Sequence, residues 1–131
     1  MPNVVFFSFS EMDREEVLLI KGRAVNPRYT NLDFRVQDLL KRWDTTDPAV
    51  IRRAISTSIN GTSRTIVFVG NDTSGSFWVP VEVEMTLEAP KPVYAIRIDG
   101  TWGATPTCLS KNSIVVHGWS EATLQDLATR V

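Results

Sequence analysis

Two stretches of this chain, Val4-Val-Phe-Phe-Ser-Phe9 and Thr65-Ile-Val-Phe-Val-Gly70, are apolar almost without a break. A strand with one wet face alternates apolar and polar residues, so short unbroken runs mark strands covered on both faces. Such strands belong in parallel sheets, and parallel neighbours need crossover segments, usually helices. The segments between supply them. After Ser8, Phe9 and Ser10, Asp13-Arg-Glu-Glu16 reads as a capping box opening a helix, with Val17, Leu18, Ile20 and Val25 inward and Asn26-Pro27 closing it. Leu32–Asp38 alternates as a second strand, and Leu39–Thr46 follows as a loop. Asp47-Pro48 is an N-cap with proline in the first turn. Val50, Ile51, Ala54, Ile55, Ser58 and Ile59 recur at helical spacing, and Asn60-Gly61 ends that helix. Pro92–Asp99 and Ser113–Gly118 read as fourth and fifth strands, joined by an irregular connection over 100–112. Ser120 caps a last helix carrying Leu124, Leu127, Ala128 and Val131.

One segment is in conflict with itself. Val79, Val81, Val83, Met85 and Leu87 alternate with Glu82, Glu84, Thr86 and Glu88, the period of a half-buried strand. Yet the parallel strands on either side of it, ending at Gly70 and beginning at Pro92, need a crossover, and 76–89 is the segment available for it. The tertiary demand outweighs the local period, so 76–89 is expected to be helical. On that helix Trp78 and Glu82, four apart, would share one face, where a flat ring and an acid could hold a sugar or nucleotide. The expected fold is therefore α/β: a central parallel five-stranded sheet with helices on both faces, one domain over residues 1–131.

Composition excludes much chemistry. A net charge of −1 makes no electrostatic case for nucleic acid or an anionic membrane. No apolar run approaches the ~20 residues of a membrane span. The opening Met-Pro-Asn lacks the basic flank and cleavage site of a signal peptide, and a lone Cys108 suits a reducing compartment, so the expected location is cytoplasmic. One His and one Cys make a zinc site of ordinary composition improbable, and no metal is expected. His117 lies in an apolar strand with no nucleophile elbow in view, which argues against a Ser–His–Asp hydrolase.

Taken in order, several pieces resemble the TIR domain, in particular its bacterial and archaeal TIR-like group and the TIR protein of Thoeris anti-phage defence. They are Phe6-Phe7-Ser8-Phe9-Ser10 with Asp13 following, Val36-Gln37-Asp38 with its loop and Asp47–Ile55, Thr62–Gly70, and Trp78-Val-Pro-Val-Glu82. The last matches the family's Trp-x-x-x-Glu at the start of the helix bearing the catalytic glutamate. The resemblance covers residues 3–99 and weakens beyond. It implies a flavodoxin-like three-layer sandwich and cleavage of the nicotinamide–ribose bond of NAD, which is a substrate and not a cofactor, to give an ADP-ribose-type signalling nucleotide, cyclic in the expected case. Glu82 would be catalytic. Trp78 would line the nucleotide site, with Ser8, Phe9 and Ser10 on one wall and the loop from Asp38 to Asp44, Trp43 included, on the other. Implied partners are NAD, further copies of the chain and a separate effector that senses the product. Pro80 and Glu84 depart from the family's spacing and blur where the helix begins.

The residues fit that chemistry. Nicotinamide leaves NAD as a neutral ring, so cleavage needs neither metal nor general acid, only shielding and a carboxylate to offset the oxocarbenium-like ribose. Two other readings stay open. One is a nucleoside deoxyribosyltransferase-like N-glycosidase whose Glu attacks the anomeric carbon; the other is a non-catalytic TIR scaffold acting by self-association. Trp78 could equally be core filling, and Cys108, without a paired base, reads as inert.

Overall fold

A computed structural model describes residues 4–25, 35–37 and 47–130. Five strands, β1 (Val4–Ser8), β2 (Arg35–Gln37), β3 (Arg64–Val69), β4 (Val93–Arg97) and β5 (Val116–His117), form one sheet in the order β2-β1-β3-β4-β5. Every pairing is parallel, with Phe6 beside Thr65 and Gln37, and Ile66 beside Tyr94. Helices α1 (Arg14–Val25), α2 (Pro48–Asn60), α3 (Trp78–Glu88) and α4 (Thr107–Ser110) lie in the crossovers, and α5 (Glu121–Thr129) follows β5. The parallel α/β sheet expected from the apolar runs is present, in the flavodoxin-like arrangement that the resemblance implied.

Strand alternation splits the core into layers. Val5, Phe7, Ile66, Phe68 and Ile96 face α1 and α5, where they meet Val17, Ile20, Leu124 and Leu127. Phe7 and Phe68 pack edge to face with centroids 4.5 Å apart, a geometry worth about 0.5–1.5 kcal/mol beyond its area. On the opposite face Val67, Val69 and Ala95 meet Val79 and Val83 of α3 and Leu109 of α4. Beside them Phe6 packs on Ile51, Ile55 and Ile59 of α2 and on Val81 of α3.

The strand-like spacing of α3 is explained by its depth. At roughly 100° per residue, Val81 and Met85 turn one way, Val79 and Val83 turn about 160° from Val81, and Glu82 and Thr86 fall between them. The helix is thus buried over about 200° of its circumference and spares only Glu84, Leu87, Glu88 and the partly covered Pro80 for solvent. Pro80 is third in the helix, where a missing N–H leaves no bond broken. Facing the sheet, Thr86 Oγ donates to Glu82 O at 2.7 Å, which leaves Thr65 to donate to Thr86 Oγ at 2.7 Å.

Several details differ from expectation. Asp13 does not cap α1: the chain turns earlier, through a 3₁₀ turn over Glu11–Asp13 whose N-cap is Ser10, accepting from Met12 N at 3.4 Å. Asp13 points instead to the loop after β3, where Thr73 Oγ donates to its carboxylate at 3.3 Å and accepts from Gly70 N at 2.7 Å. A Cβ at Gly70 would overlap that carboxylate, so the residue must be glycine for this approach. Leu18 is exposed, whereas Val17 and Ile20 are buried as the helical spacing requires. The connection over 100–112 contains α4, and β5 shrinks from the expected 113–118 to two residues. The cause is Ser113 at φ 57° with the amides of Ser113 and Ile114 bonded back to Ser110 O and Leu109 O. Those amides close α4 and cannot enter the ladder. Asn26-Pro27, Leu32–Phe34 and Asp38–Thr46 lie outside the described residues.

Two cations fasten helix ends. Arg64 donates to Leu127 O at 3.1 Å and Arg130 O at 2.6 Å at the end of α5. Lys91 Nζ donates to Ile59 O at 2.8 Å, Thr62 O at 2.7 Å and Asn60 O at 3.3 Å, closing the end of α2 that Gly61 begins to cap. Three ammonium protons meet three carbonyls where the helix dipole favours positive charge. Lys91→Met is expected to lower stability by about 1.5–3 kcal/mol, read as a fall of several degrees in Tm. An unchanged Tm would mean that water replaces the ammonium at no cost.

Candidate functional site

In this strand order the chain leaves β1 for β2 on one side and returns to β3 on the other. The loops after β1 and β3 therefore diverge to opposite faces, and a crevice opens at their carboxyl ends. Open parallel sheets bind ligands at such switch points. A cavity of about 270 Å³ lies there. Phe9, Ser10 and Glu11 line it from the loop after β1, Ile51 and Ile55 from α2, and Ser76, Phe77, Trp78 and Glu82 from the approach to α3 and its first turns.

Ser8, Phe9, Ser10, Trp78 and Glu82, all singled out from the sequence, are brought together here, but not in one role. Phe9 and Ser10 wall the cavity, while Ser8 lies beneath it, 0 % exposed, with its hydroxyl donating to Glu82 Oε1 at 2.8 Å. The expected helical face holds: Trp78 and Glu82 both reach the cavity one turn apart. Trp78 also packs on the apolar layer of Phe6, Ile55 and Val81, so lining and core filling coexist in one side chain. Asp38 and Trp43 lie outside the described residues. Spacing arguments missed six contributors, Phe7 and Ser76 among them. Ile51 and Ile55 were read only as core, Glu11 was passed over, and Phe77, 67 % exposed, meets Trp78 edge to face at 4.9 Å. The aromatic pair Phe77-Trp78 directly before a helical acid was the signal available for the last.

Glu82 is the unusual group. Its side chain is 7 % exposed, and burial pushes its carboxyl up from 4.5 to about 8, partly opposed by the Ser8 hydrogen bond. Two apolar isoleucines opposite it and an aromatic ring beside it give no charge to offset the ion. A carboxyl so placed is costly as an anion until a positive charge enters the cavity. Asp13 is also raised, by burial first, but its carboxylate serves the loop clasp with Thr73 and not the cavity. Burial likewise pushes the Cys108 thiol up, away from nucleophilic character. Among the described residues no group of His, Cys, Asp and Glu could hold a metal ion, and no helix is long and apolar enough to cross a membrane.

Folded Glu82 keeps its proton to about pH 8, whereas the unfolded chain gives it up near 4.5. The folded state then binds more protons across that window, so stability falls as pH rises through it and levels off above. Glu82→Gln is neutral throughout and removes the slope. Its Tm is expected to exceed that of the wild type by a margin that widens by several degrees between about pH 5 and about pH 8. A margin independent of pH would show the wild-type carboxyl to be ionised throughout.

The family described as "Thoeris protein ThsB, TIR-like domain" matches residues 6–102. No curated protein matches the chain. Among solved structures, the TIR domain of the Toll-related receptor TRR-2 from Hydra magnipapillata superposes with a TM-score of 0.60 at 16 % identity, covering 95 % of this chain and 90 % of that one. The RPS4 and RRS1 TIR domain heterodimer gives a TM-score of 0.54 at 12 % identity over 97 % and 92 % of the two chains. At such identities the likeness speaks for the fold alone, and the family match speaks for kinship: the chain belongs to the TIR-like domain family of the Thoeris protein ThsB.

Proposed function

We propose that this chain cleaves the nicotinamide–ribose bond of NAD, with Glu82 as the catalytic carboxylate. The observation that carries the reading is a buried acid in a cavity at the sheet's switch point, walled mainly by Phe7, Phe9, Ile51, Ile55, Phe77 and Trp78, with Ser10, Ser76 and the exposed Glu11 beside them. The bond from ribose C1′ to the pyridinium nitrogen breaks heterolytically, and its electron pair neutralises the ring, which leaves as nicotinamide. The positive charge passes to the ribose. A carboxylate beneath it in a water-poor site offsets that charge far better than it would in bulk water. The cation is then captured by water, with loss of a proton, or by a nitrogen of the adenine, giving a cyclic product.

At about 270 Å³ the cavity is small for a whole dinucleotide, since sites for drug-sized ligands begin near 300 Å³. It suits the nicotinamide riboside half, with Trp78 and Phe77 offering flat surfaces to a ring, and the remainder extends past the mouth. Met12, Phe77 and Trp102, exposed on loops at the carboxyl edge, give a second copy an apolar surface to cover. The pairing of the RPS4 and RRS1 TIR domains favours such self-association. Kinship with a Thoeris protein supports a role in anti-phage defence, in which a separate effector senses the product.

Glu82→Gln is expected to lower nicotinamide release by at least about a hundredfold. In the wild type kcat/KM should rise with pH and level off above about 8, because the free enzyme must lose the Glu82 proton. Turnover that survives in Glu82→Gln, or that falls as pH rises toward 8, would remove the assignment. Release of base from deoxynucleosides in place of NAD would turn it toward a deoxyribosyltransferase-like enzyme.

A further inference from the structure

Alternation along β1 sends Val5 and Phe7 to one face of the sheet and Phe6 and Ser8 to the other. Ser8 stands beside Val67 of β3, and a valine or alanine would satisfy the strand pattern as well. The hydroxyl that stands there is fully buried, and its hydrogen bond goes to Glu82 Oε1, 74 residues away in sequence. Oε2 makes no hydrogen bond to a described residue, and Glu82 lines the cavity.

The surroundings of Glu82 give this bond weight. Across the cavity α2 presents Ile51 and Ile55, while its Arg52 and Arg53 are exposed. The neighbouring strand β3 contributes Thr65 and Val67, and on α3 itself Glu84 and Glu88 point to solvent. Glu11, from the 3₁₀ turn, is the described charged group that shares the cavity, and it is negative. No described cation lines the cavity, so the Ser8 hydroxyl is the described group there that favours a carboxylate over a carboxylic acid.

We propose that Ser8 is a positioning residue: by donating to Oε1 it fixes the Glu82 side chain, favours its ionised form, and leaves Oε2 to face the ligand. This rests on the reading of Glu82 as the catalytic carboxylate, and it moves Ser8 from the wall of the cavity to the support of the acid. A hydrogen bond to the charged form stabilises that form, so removing it raises the carboxyl's midpoint further. Each unit of upward shift lowers the ionised fraction at neutral pH about tenfold. It follows that the site discriminates by charge: a ligand carrying a pyridinium cation completes what Ser8 begins, and the reduced, uncharged ring does not.

The test separates Ser8 from turnover. Side-chain carboxyl resonances of glutamate are followed by carbon-13 NMR against pH in the wild type, Ser8→Ala and Ser8→Cys, with Glu82→Gln to assign the signal. Ser8→Cys keeps the shape and only a weak donor. The expected order of midpoints is wild type lowest, Ser8→Cys next and Ser8→Ala highest, with the rising limb of kcat/KM moving by the same amount as the midpoint. A midpoint unmoved in both variants, or a loss of activity uniform in pH, would overturn the proposal. If the midpoints shift while the wild type releases no nicotinamide, the support role of Ser8 stands and the proposed activity falls. If release depends on Glu82 while the midpoints stay put, the reverse holds.

Discussion

The structure turns on a polar seam buried between the sheet and α3. Two contacts compose it: Ser8 with Glu82, and Thr65 with Thr86, the second pair locked to the backbone at Glu82 O. Each of these groups is a liability in an apolar layer unless matched, and an unmatched buried acceptor costs about 1–3 kcal/mol. Matching them fixes the rotation and the height of α3 on the sheet. The valines on either flank then have only one way to pack, into the α4 side or the α2 side. The acid is not an ornament on a finished core; its seating is part of what defines the core.

Much of this was legible beforehand. Unbroken apolar runs demanded a parallel sheet, and the sheet demanded a helix where the local spacing spelled a strand. The spacing misleads because alternate valines on a deeply sunk helix serve two separate layers, which a period count cannot distinguish from one face of a strand. Capping motifs were half informative. Asp47 accepts from Ala49 N at 3.0 Å and Ser120 from Thr123 N at 2.9 Å, as their positions suggested. Asp13 looked equally good as a cap, yet a tertiary partner, Thr73, claims it. The shortening of β5 was illegible for a related reason: Ser113 adopts a left-handed conformation that its sequence does not advertise.

For the candidate site, the Trp-x-x-x-Glu spacing together with the family resemblance singled out Glu82 and Trp78, which do share one cavity, while the places of their neighbours depend on depth. Whether Ser8 meets a ligand or a glutamate is decided by which side of the strand it occupies and how far α3 descends. Neither is visible in a string of letters. Ile51 and Ile55 illustrate the converse: they were placed in the core, and they are in the core, yet the same side chains form the cavity's apolar wall. The crevice itself follows from strand order and not from particular side chains, which is why fold likeness at 16 % identity is enough to keep it.

Asn71 Oδ1 accepts from Trp102 N at 2.7 Å and Gly103 N at 3.1 Å, and a Cβ at Gly103 would strike the backbone of Gly70 and Asn71. The loops that follow β3 and β4 are thereby welded at their bases, directly beside the segment that carries Phe77 and Trp78 into the cavity. The backbone on that flank of the mouth is thus held by contacts within the fold, so a ligand settling there would order side chains such as the exposed Phe77 but would not have to order the loop. The shape of this side belongs to the fold and not to whatever settles against it.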